Sequence, residues 1–124
     1  KLPNITPDTE MTTAIAELQK FKLLGAPVFD KDKCLVGFIS EQELLKPLTQ
    51  SSYFCDGMVK VSQLMQTEVV TVSGDTNIIE LAQQMQPGKP KNYPVVEGVK
   101  VIGMISRADV LKALYDNYIS CQTH

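Results

Sequence analysis

The chain repeats itself, and that duplication limits what it can fold into more than any other feature. Laying Asn4–Asp30 beside Thr71–Glu97 places Asp8-Thr9 on Asp75-Thr76 and Pro27-Val28 on Pro94-Val95. One residue is lost between Asp30-Lys31-Asp32-Lys33 and Glu97-Gly98-Val99. Gly37 then falls on Gly103, Ile39-Ser40 on Ile105-Ser106, Leu45-Lys46 on Leu111-Lys112 and Leu48 on Leu114. Between these identities Val36/Ile102, Phe38/Met104 and Leu44/Val110 keep their apolar character. Identities at turns and element ends, with an apolar pattern between them, mark a duplicated supersecondary unit. A unit of roughly 55 residues buries little surface by itself, so the two copies are expected to share a core.

Each copy reads as strand, helix, strand, strand, helix. An extended start (Leu2–Ile5; Val69–Val72) leads into an Asp-Thr pair suited to capping a helix. The first helix is expected over Glu10–Lys22, where Met11, Ala14, Ile15, Leu18 and Phe21 recur at helical spacing. Its counterpart spans Asn77–Gln86, on the stripe Ile78, Leu81, Ala82 and Met85, and Pro87-Gly88-Lys89-Pro90 stops it. Pro27-Val28-Phe29 and Leu35–Ile39 flank a charged turn as a hairpin, as do Pro94-Val95-Val96 and Val101–Ile105. A last helix follows from Glu41 to Leu48 and from Arg107 to Tyr118. The strand-helix-strand crossover is expected to be right-handed and to lay its helix on one sheet face. Ser51, Ser52, Asp56 and Gly57 mark an intervening loop, in which Tyr53, Phe54 and Met58 supply something to bury. Val61–Met65 reads as a short amphipathic turn into the second copy. The resulting division is repeat one over 1–52, a linker over 53–64 and repeat two over 65–121.

Composition narrows the function. Twelve basic against fourteen acidic side chains give a net charge of −2, which argues against a general polyanion binder. No apolar run approaches the ~18 residues of a membrane span, and Lys1–Glu10 lacks the form of a signal peptide. Cys34, Cys55 and Cys121 are scattered without a CxxC, which suggests a reducing, cytoplasmic setting and no structural zinc. Cys55 has no cationic neighbours to activate it. The chain opens on Lys1, as a piece of a larger protein would. His124, the single histidine, is the last residue, a poor place for a general base. No GxxxxGK or GxGxxG motif occurs, so the inventory argues against an enzyme.

Gly25-Ala26-Pro27-Val28 with Leu35-Val36-Gly37-Phe38-Ile39-Ser40, and Asn92-Tyr93-Pro94-Val95 with Val101-Ile102-Gly103-Met104-Ile105-Ser106-Arg107-Ala108-Asp109, resemble the CBS domain, the tandem repeat named after cystathionine β-synthase. Val61-Ser62-Gln63-Leu64-Met65, followed by Val69-Val70-Thr71-Val72, is similar to the family's lead-in to a repeat. The resemblance covers nearly the whole chain, twice. It implies an α/β fold of two β-α-β-β-α repeats packed as one pseudo-symmetric Bateman module. Such modules are regulatory, bind adenosine-containing ligands in clefts between repeats, and dimerise into a flat disc. The matching Ser/Thr and Asp hold phosphate or ribose, and backbone near the Pro-Val strand meets the base.

The residues themselves support part of this. A glycine within a strand (Gly37, Gly103) permits close approach of backbone or ligand. The strand then delivers a serine to a helix start, which favours an anion. Ser106 can donate to phosphate, Asp109 can accept from two ribose hydroxyls, and Arg107, the only arginine, offers a planar fork. The same residue types also cap a helix without any ligand. Ser40-Glu41-Gln42-Glu43 fits that box literally. Glu43 departs from the family's aspartate, and Glu41 adds negative charge. Aspartate is expected to reach back to a cap less well than glutamate, so the second repeat is the better ligand site.

The ligand set expected is therefore Thr71, Val72, Tyr93, Pro94, Ser106, Arg107 and Asp109, with a weaker site at Ile5, Ala26, Pro27, Ser40 and Glu43. Tyr93 can flank an adenine ring or pack in the core. Lys89 and Lys91 can reach a phosphate tail or remain solvated. Met65, Met85 and Met104 suit core gaps, and Asp8-Thr9 and Asp75-Thr76 suit caps. Tyr115, Tyr118 and Ile119 extend the last helix with apolar bulk. A homodimer is expected through Ile15, Leu18, Leu48 and Tyr118. No metal and no obligatory cofactor is expected, nor nucleic acid or direct membrane insertion. The implied ligand is AMP, ADP, ATP or another adenosyl compound, and S-adenosylmethionine, NAD and a cyclic dinucleotide remain open. The implied partner is an attached or associated protein under control. A ligand-free dimerisation or scaffold module is the alternative.

Overall fold

The computed structural model describes residues 2–49 and 58–122, in two compact units: one takes the chain up to Val69 together with Gly98–Val101, the other takes Val70–Glu97 and the chain from Ile102. The expected loop residues Tyr53, Phe54 and Cys55 lie outside the described residues.

In the first unit, α1 (Met11–Phe21) is followed by the hairpin β1 (Gly25–Phe29) and β2 (Leu35–Ser40), then α2 (Glu41–Leu48). Helix α1 buries Met11, Ala14 and Leu18, the spacing of one helical face, and ends at Lys22, whose φ of 56° is left-handed. In the turn after β1, Asp30 Oδ1 accepts from the backbone N–H groups of Asp32 and Cys34, both at 2.9 Å. The antiparallel register runs from Gly25 opposite Ser40 to Val28 opposite Gly37, with Pro27 opposite Phe38. Pro27 has no N–H, so this pair cannot exchange hydrogen bonds, and the polar backbone groups of Phe38 point to the other edge. There they meet Gln66: Phe38 N–H donates to Gln66 O and Gln66 N–H donates to Phe38 O, both at 2.8 Å.

The core of this unit joins Ile5, Met11, Ala14, Leu18, Ala26, Val28, Ile39 and Leu44 to Val59 and Val61. The segment after α2 is thus built into the first unit, with a single 3₁₀ turn at Val61–Gln63. Met58, expected to be buried, is exposed.

In the second repeat, β3 (Val72–Ser73) precedes α3 (Ile78–Gln84), β4 (Asn92–Glu97), β5 (Lys100–Ser106) and α4 (Arg107–Gln122). The sheet order is β3-β4-β5, with β3 parallel to β4 and Val72 opposite Val95. A left-handed Gly98 (φ 65°) makes the turn that returns β5 along β4. Val72, Leu81, Met85, Tyr93 and Val110 form the buried cluster of this repeat.

Four further expectations are corrected. Leu2–Ile5 is not a regular strand, because Pro3 removes a donor from it. Ile5 O still accepts from Phe29 N–H at 2.9 Å, at the place Val72 holds in the second repeat. The Asp-Thr pairs do not cap helices. Thr9 Oγ1 accepts from Thr6 N–H at 2.9 Å and Thr76 Oγ1 from Ser73 N–H at 3.2 Å, closing the same turn twice. Glu10 precedes α1 without a side-chain cap, and Asn77 caps α3, its Oδ1 accepting from Ile79 N–H at 2.8 Å and Glu80 N–H at 3.3 Å. Leu18 is 3% exposed and thus core, so it cannot serve a dimer seam. Helix α4 runs on past Tyr118 to Gln122.

Candidate functional site

The second repeat gathers its candidate residues at one end of its sheet. Parallel pairing of Val72 with Val95 sets Thr71 beside Pro94, at the beginnings of β3 and β4. Strand β5 runs the other way and finishes beside them. Arg107 N–H donates to Lys91 O at 2.9 Å, tying the first residue of α4 to the loop before β4. Ser106, Arg107 and Asp109 therefore lie at the same sheet end as Thr71, Tyr93 and Pro94. The first repeat has the matching tie, Glu41 N–H to Leu24 O at 3.0 Å.

At the start of α4 the bonds are reciprocal. Ser106 N–H donates to Asp109 Oδ2 at 2.8 Å, and Asp109 N–H donates to Ser106 Oγ at 3.1 Å. Aspartate was expected to reach back poorly, but its short side chain reaches the cap nitrogen fully. The box still leaves chemistry to spare. The Ser106 hydroxyl accepts from Asp109 and keeps its proton to donate, and only one Asp109 oxygen is engaged. Arg107 is exposed, and the ion pairs among the described residues, Lys60–Asp8 and Lys112–Asp116, do not include it. One hydroxyl donor, one guanidinium and one carboxylate acceptor thus surround a helix start, whose dipole favours an anion.

The first repeat is arranged differently. Glu43 Oε1 accepts from Ser40 N–H at 2.9 Å and also from the Ser40 hydroxyl. Glu43 Oε2 accepts from Gln66 Nε2 at 2.6 Å. Ile5 and Ala26 are core residues, and Pro27 is fully buried.

Tyr93 is 2% exposed and packs with Val72, Leu81 and Val110, and burial pushes its phenol up from the ordinary value. Its ring is core, the packing alternative of the two. Val72 is also core, Pro94 is fully buried, and Thr71 is exposed. Of the set, Thr71, Arg107 and Asp109 have exposed side chains and Ser106 a half-buried one, while those of Val72, Tyr93 and Pro94 are buried.

Sequence reasoning missed Gln66 and the Lys91 carbonyl. Gln66 follows the Val61–Met65 lead-in directly, but a side-chain bond to Glu43 leaves no spacing signal. Among the described residues no group of His, Cys, Asp and Glu is placed to hold a metal ion. No described helix is long and apolar enough to cross a membrane.

The CBS domain profile matches residues 1–49 and again 61–116. The chain belongs to the CBS-domain family. It is a tandem CBS pair with an α/β fold of two repeats, as the duplication predicted. A crystal structure of CBSX2 in complex with AMP superposes with a TM-score of 0.79 at 28% identity, covering 95% of this chain and 90% of that one. The CBS domain pair of protein MJ0100, in complex with 5′-methylthioadenosine and S-adenosyl-L-methionine, shares the fold. Its TM-score is 0.78 at 22% identity, covering 94% and 92% of the two chains. Inosine-5′-monophosphate dehydrogenase of Staphylococcus epidermidis is 25% identical over 123 residues, which is 97% of this CBS pair and 24% of the enzyme. The pair thus spans about a quarter of the length of that curated relative.

Proposed function

We propose that this CBS pair is a regulatory sensor that binds an adenosine-containing ligand at its second repeat and controls an attached or associated protein. The observation that carries the reading is the start of α4. There Ser106 and Asp109 satisfy each other's backbone N–H groups, which leaves the Ser106 hydroxyl proton and the second Asp109 oxygen for a ligand beside Arg107, a side chain in no ion pair among the described residues. A phosphate meets Ser106, Arg107 and the helix dipole, and ribose hydroxyls meet Asp109. The strand starts at Thr71–Val72 and Tyr93–Pro94 offer backbone to the base. Related pairs with AMP or adenosyl compounds bound support the ligand class. An enzyme that carries a similar stretch over a quarter of its length supports attachment of such a pair to a protein it controls. A ligand exerts control only through different affinities for two states of the protein.

Thermal unfolding with AMP, ADP, ATP, NAD and S-adenosylmethionine at millimolar levels tests the reading. At least one is expected to raise the melting temperature, and no shift with any of them removes it.

A second reading has its own observation. Leu111, Tyr115, Tyr118 and Ile119 line one face of α4, and all are exposed, Leu111 by 69%. That stripe favours self-association as a homodimer, which is compatible with sensing. Alone, it defines the scaffold alternative.

A further inference from the structure

We infer that the first repeat's counterpart of the Ser106–Asp109 site is closed by its own chain, through Glu43 and Gln66, so that the protein takes one adenosyl ligand per chain. The inference rests on the reading of the second repeat as the ligand site.

In the second repeat, one carboxylate oxygen and one hydroxyl proton remain for a ligand. In the first, the hydroxyl proton is taken and both carboxylate oxygens are already engaged. Glu43, one methylene longer than Asp109, takes both the backbone N–H and the hydroxyl of Ser40 on Oε1. Its other oxygen, the one a ribose hydroxyl would need, accepts from the Gln66 amide at 2.6 Å. A ligand seeking Ser40 and Glu43 competes with both of these side-chain hydrogen bonds.

The backbone closes the same place. A methyl group added at Gly37 would lie 2.7 Å from Met65 Sδ and 2.9 Å from Gln66 O, so Met65-Gln66 runs directly over this strand. The paired 2.8 Å bonds between Phe38 and Gln66 fix the segment there, and Gln66 then needs only its side chain to reach Glu43. At Gly103 a methyl group would meet nothing within 4 Å. The repeat thus offers two equivalent glycines, one approached by the chain itself and one open. Charge follows the same division: Glu41 and Glu43 stand in the first turn of α2, whereas Arg107 stands in the first turn of α4.

Titration calorimetry with AMP, and with S-adenosylmethionine as the phosphate-free adenosyl control, counts the sites. One equivalent per chain is expected in wild type, weakened about tenfold or more by Arg107→Ala and by Asp109→Asn, which keeps a cap acceptor. Two equivalents overturn the inference and leave the sensing reading intact, whereas one equivalent that both variants bind like wild type overturns the inference together with the second-repeat site. If neither ligand binds, ADP, ATP and NAD are titrated in turn, and binding by none of the five removes the sensing reading and the count of one with it. The closure itself is read in ligand-free protein from the melting temperatures of Glu43→Ala, Gln66→Ala and the double variant. A double loss smaller than the sum of the single losses supports the Glu43–Gln66 link, and strictly additive losses overturn it.

Discussion

Asp109 Oδ2 accepts from the Ser106 backbone N–H at 2.8 Å while Ser106 Oγ accepts from the Asp109 N–H at 3.1 Å, so the two residues cap α4 by mutual bonds. Capping and ligand binding are often treated as competing explanations of such a pair. Here they use different atoms. The cap consumes one Asp109 oxygen and one acceptor position of Ser106, and it orients what is left over. A site residue held by the bonds that start its helix has little rotamer freedom to lose on binding, which favours affinity.

The cap makes Asp109 a structural residue as well. Asp109→Ala is expected to cost about 1 kcal/mol of stability, the usual value of a lost capping interaction. Asp109→Asn retains an oxygen for the Ser106 N–H and should cost less. Urea unfolding of the two variants beside wild type checks the order. Equal stability of Asp109→Ala and wild type would show that the box contributes nothing.

The two strand glycines should respond oppositely to a methyl group. Gly37→Ala drives Cβ to 2.7 Å from Met65 Sδ and 2.9 Å from Gln66 O, the latter a backbone atom. A loss of about 1–3 kcal/mol is expected, as for other overpacked sites. Gly103→Ala meets nothing within 4 Å and is expected to be neutral, or stabilising by up to about 1 kcal/mol through the unfolded chain. Chemical denaturation of both variants decides the matter.

Much of this was legible because duplication turns one ambiguous pattern into two that must agree. The hairpins, the four α-helices among the described residues and the helix starts at Glu41 and Arg107 follow from turn residues, apolar spacing and a serine after a glycine-bearing strand. What was not legible depended on atoms rather than periods. Thr9 and Thr76 sit where a cap is expected, yet their hydroxyls close a turn three residues back, and only the path of the backbone distinguishes the two uses. Tyr93 precedes a proline beside the candidate site, and nothing local reveals that its ring turns into the core. The Glu43–Gln66 bond spans 23 residues and depends on where the chain returns after the loop.

Burial of Tyr93 raises its pKa above the ordinary 10.0, which makes stability depend on pH in the alkaline range. The folded protein holds the phenol proton more tightly than the unfolded chain. The stabilisation is therefore complete below about pH 10 and declines as pH rises through the unfolded value toward the folded one. Tyr93→Phe should remove that dependence and unfold at a higher pH than wild type. Base-induced unfolding followed by circular dichroism tests this, and identical profiles would contradict it.

The exposed face of α4 predicts association in solution. Leu111, Tyr115 and Tyr118 recur three or four residues apart, so they form one stripe along the helix. Light scattering is expected to return a mass above the 13.7 kDa of a single chain. Tyr118→Arg combined with Leu111→Arg should return the monomer mass. A wild type that is monomeric at every concentration would rule the homodimer out.

Arg107→Ala separates a sensor from a scaffold. The backbone N–H of Arg107 is bonded to Lys91 O, and alanine keeps that bond. The side chain is exposed and in no ion pair among the described residues, so its removal should change stability by less than about 0.5 kcal/mol. If it holds a phosphate, the variant loses a charge-assisted hydrogen bond worth about 1.5–3 kcal/mol, or about tenfold to a hundredfold in affinity. The nucleotide-induced rise in melting temperature should then shrink sharply while the ligand-free value barely moves. Adenosine, which has no phosphate, should lose much less affinity than AMP. Equal loss for adenosine and AMP would place Arg107 away from the phosphate. An undiminished AMP shift in the variant would remove it from the site altogether.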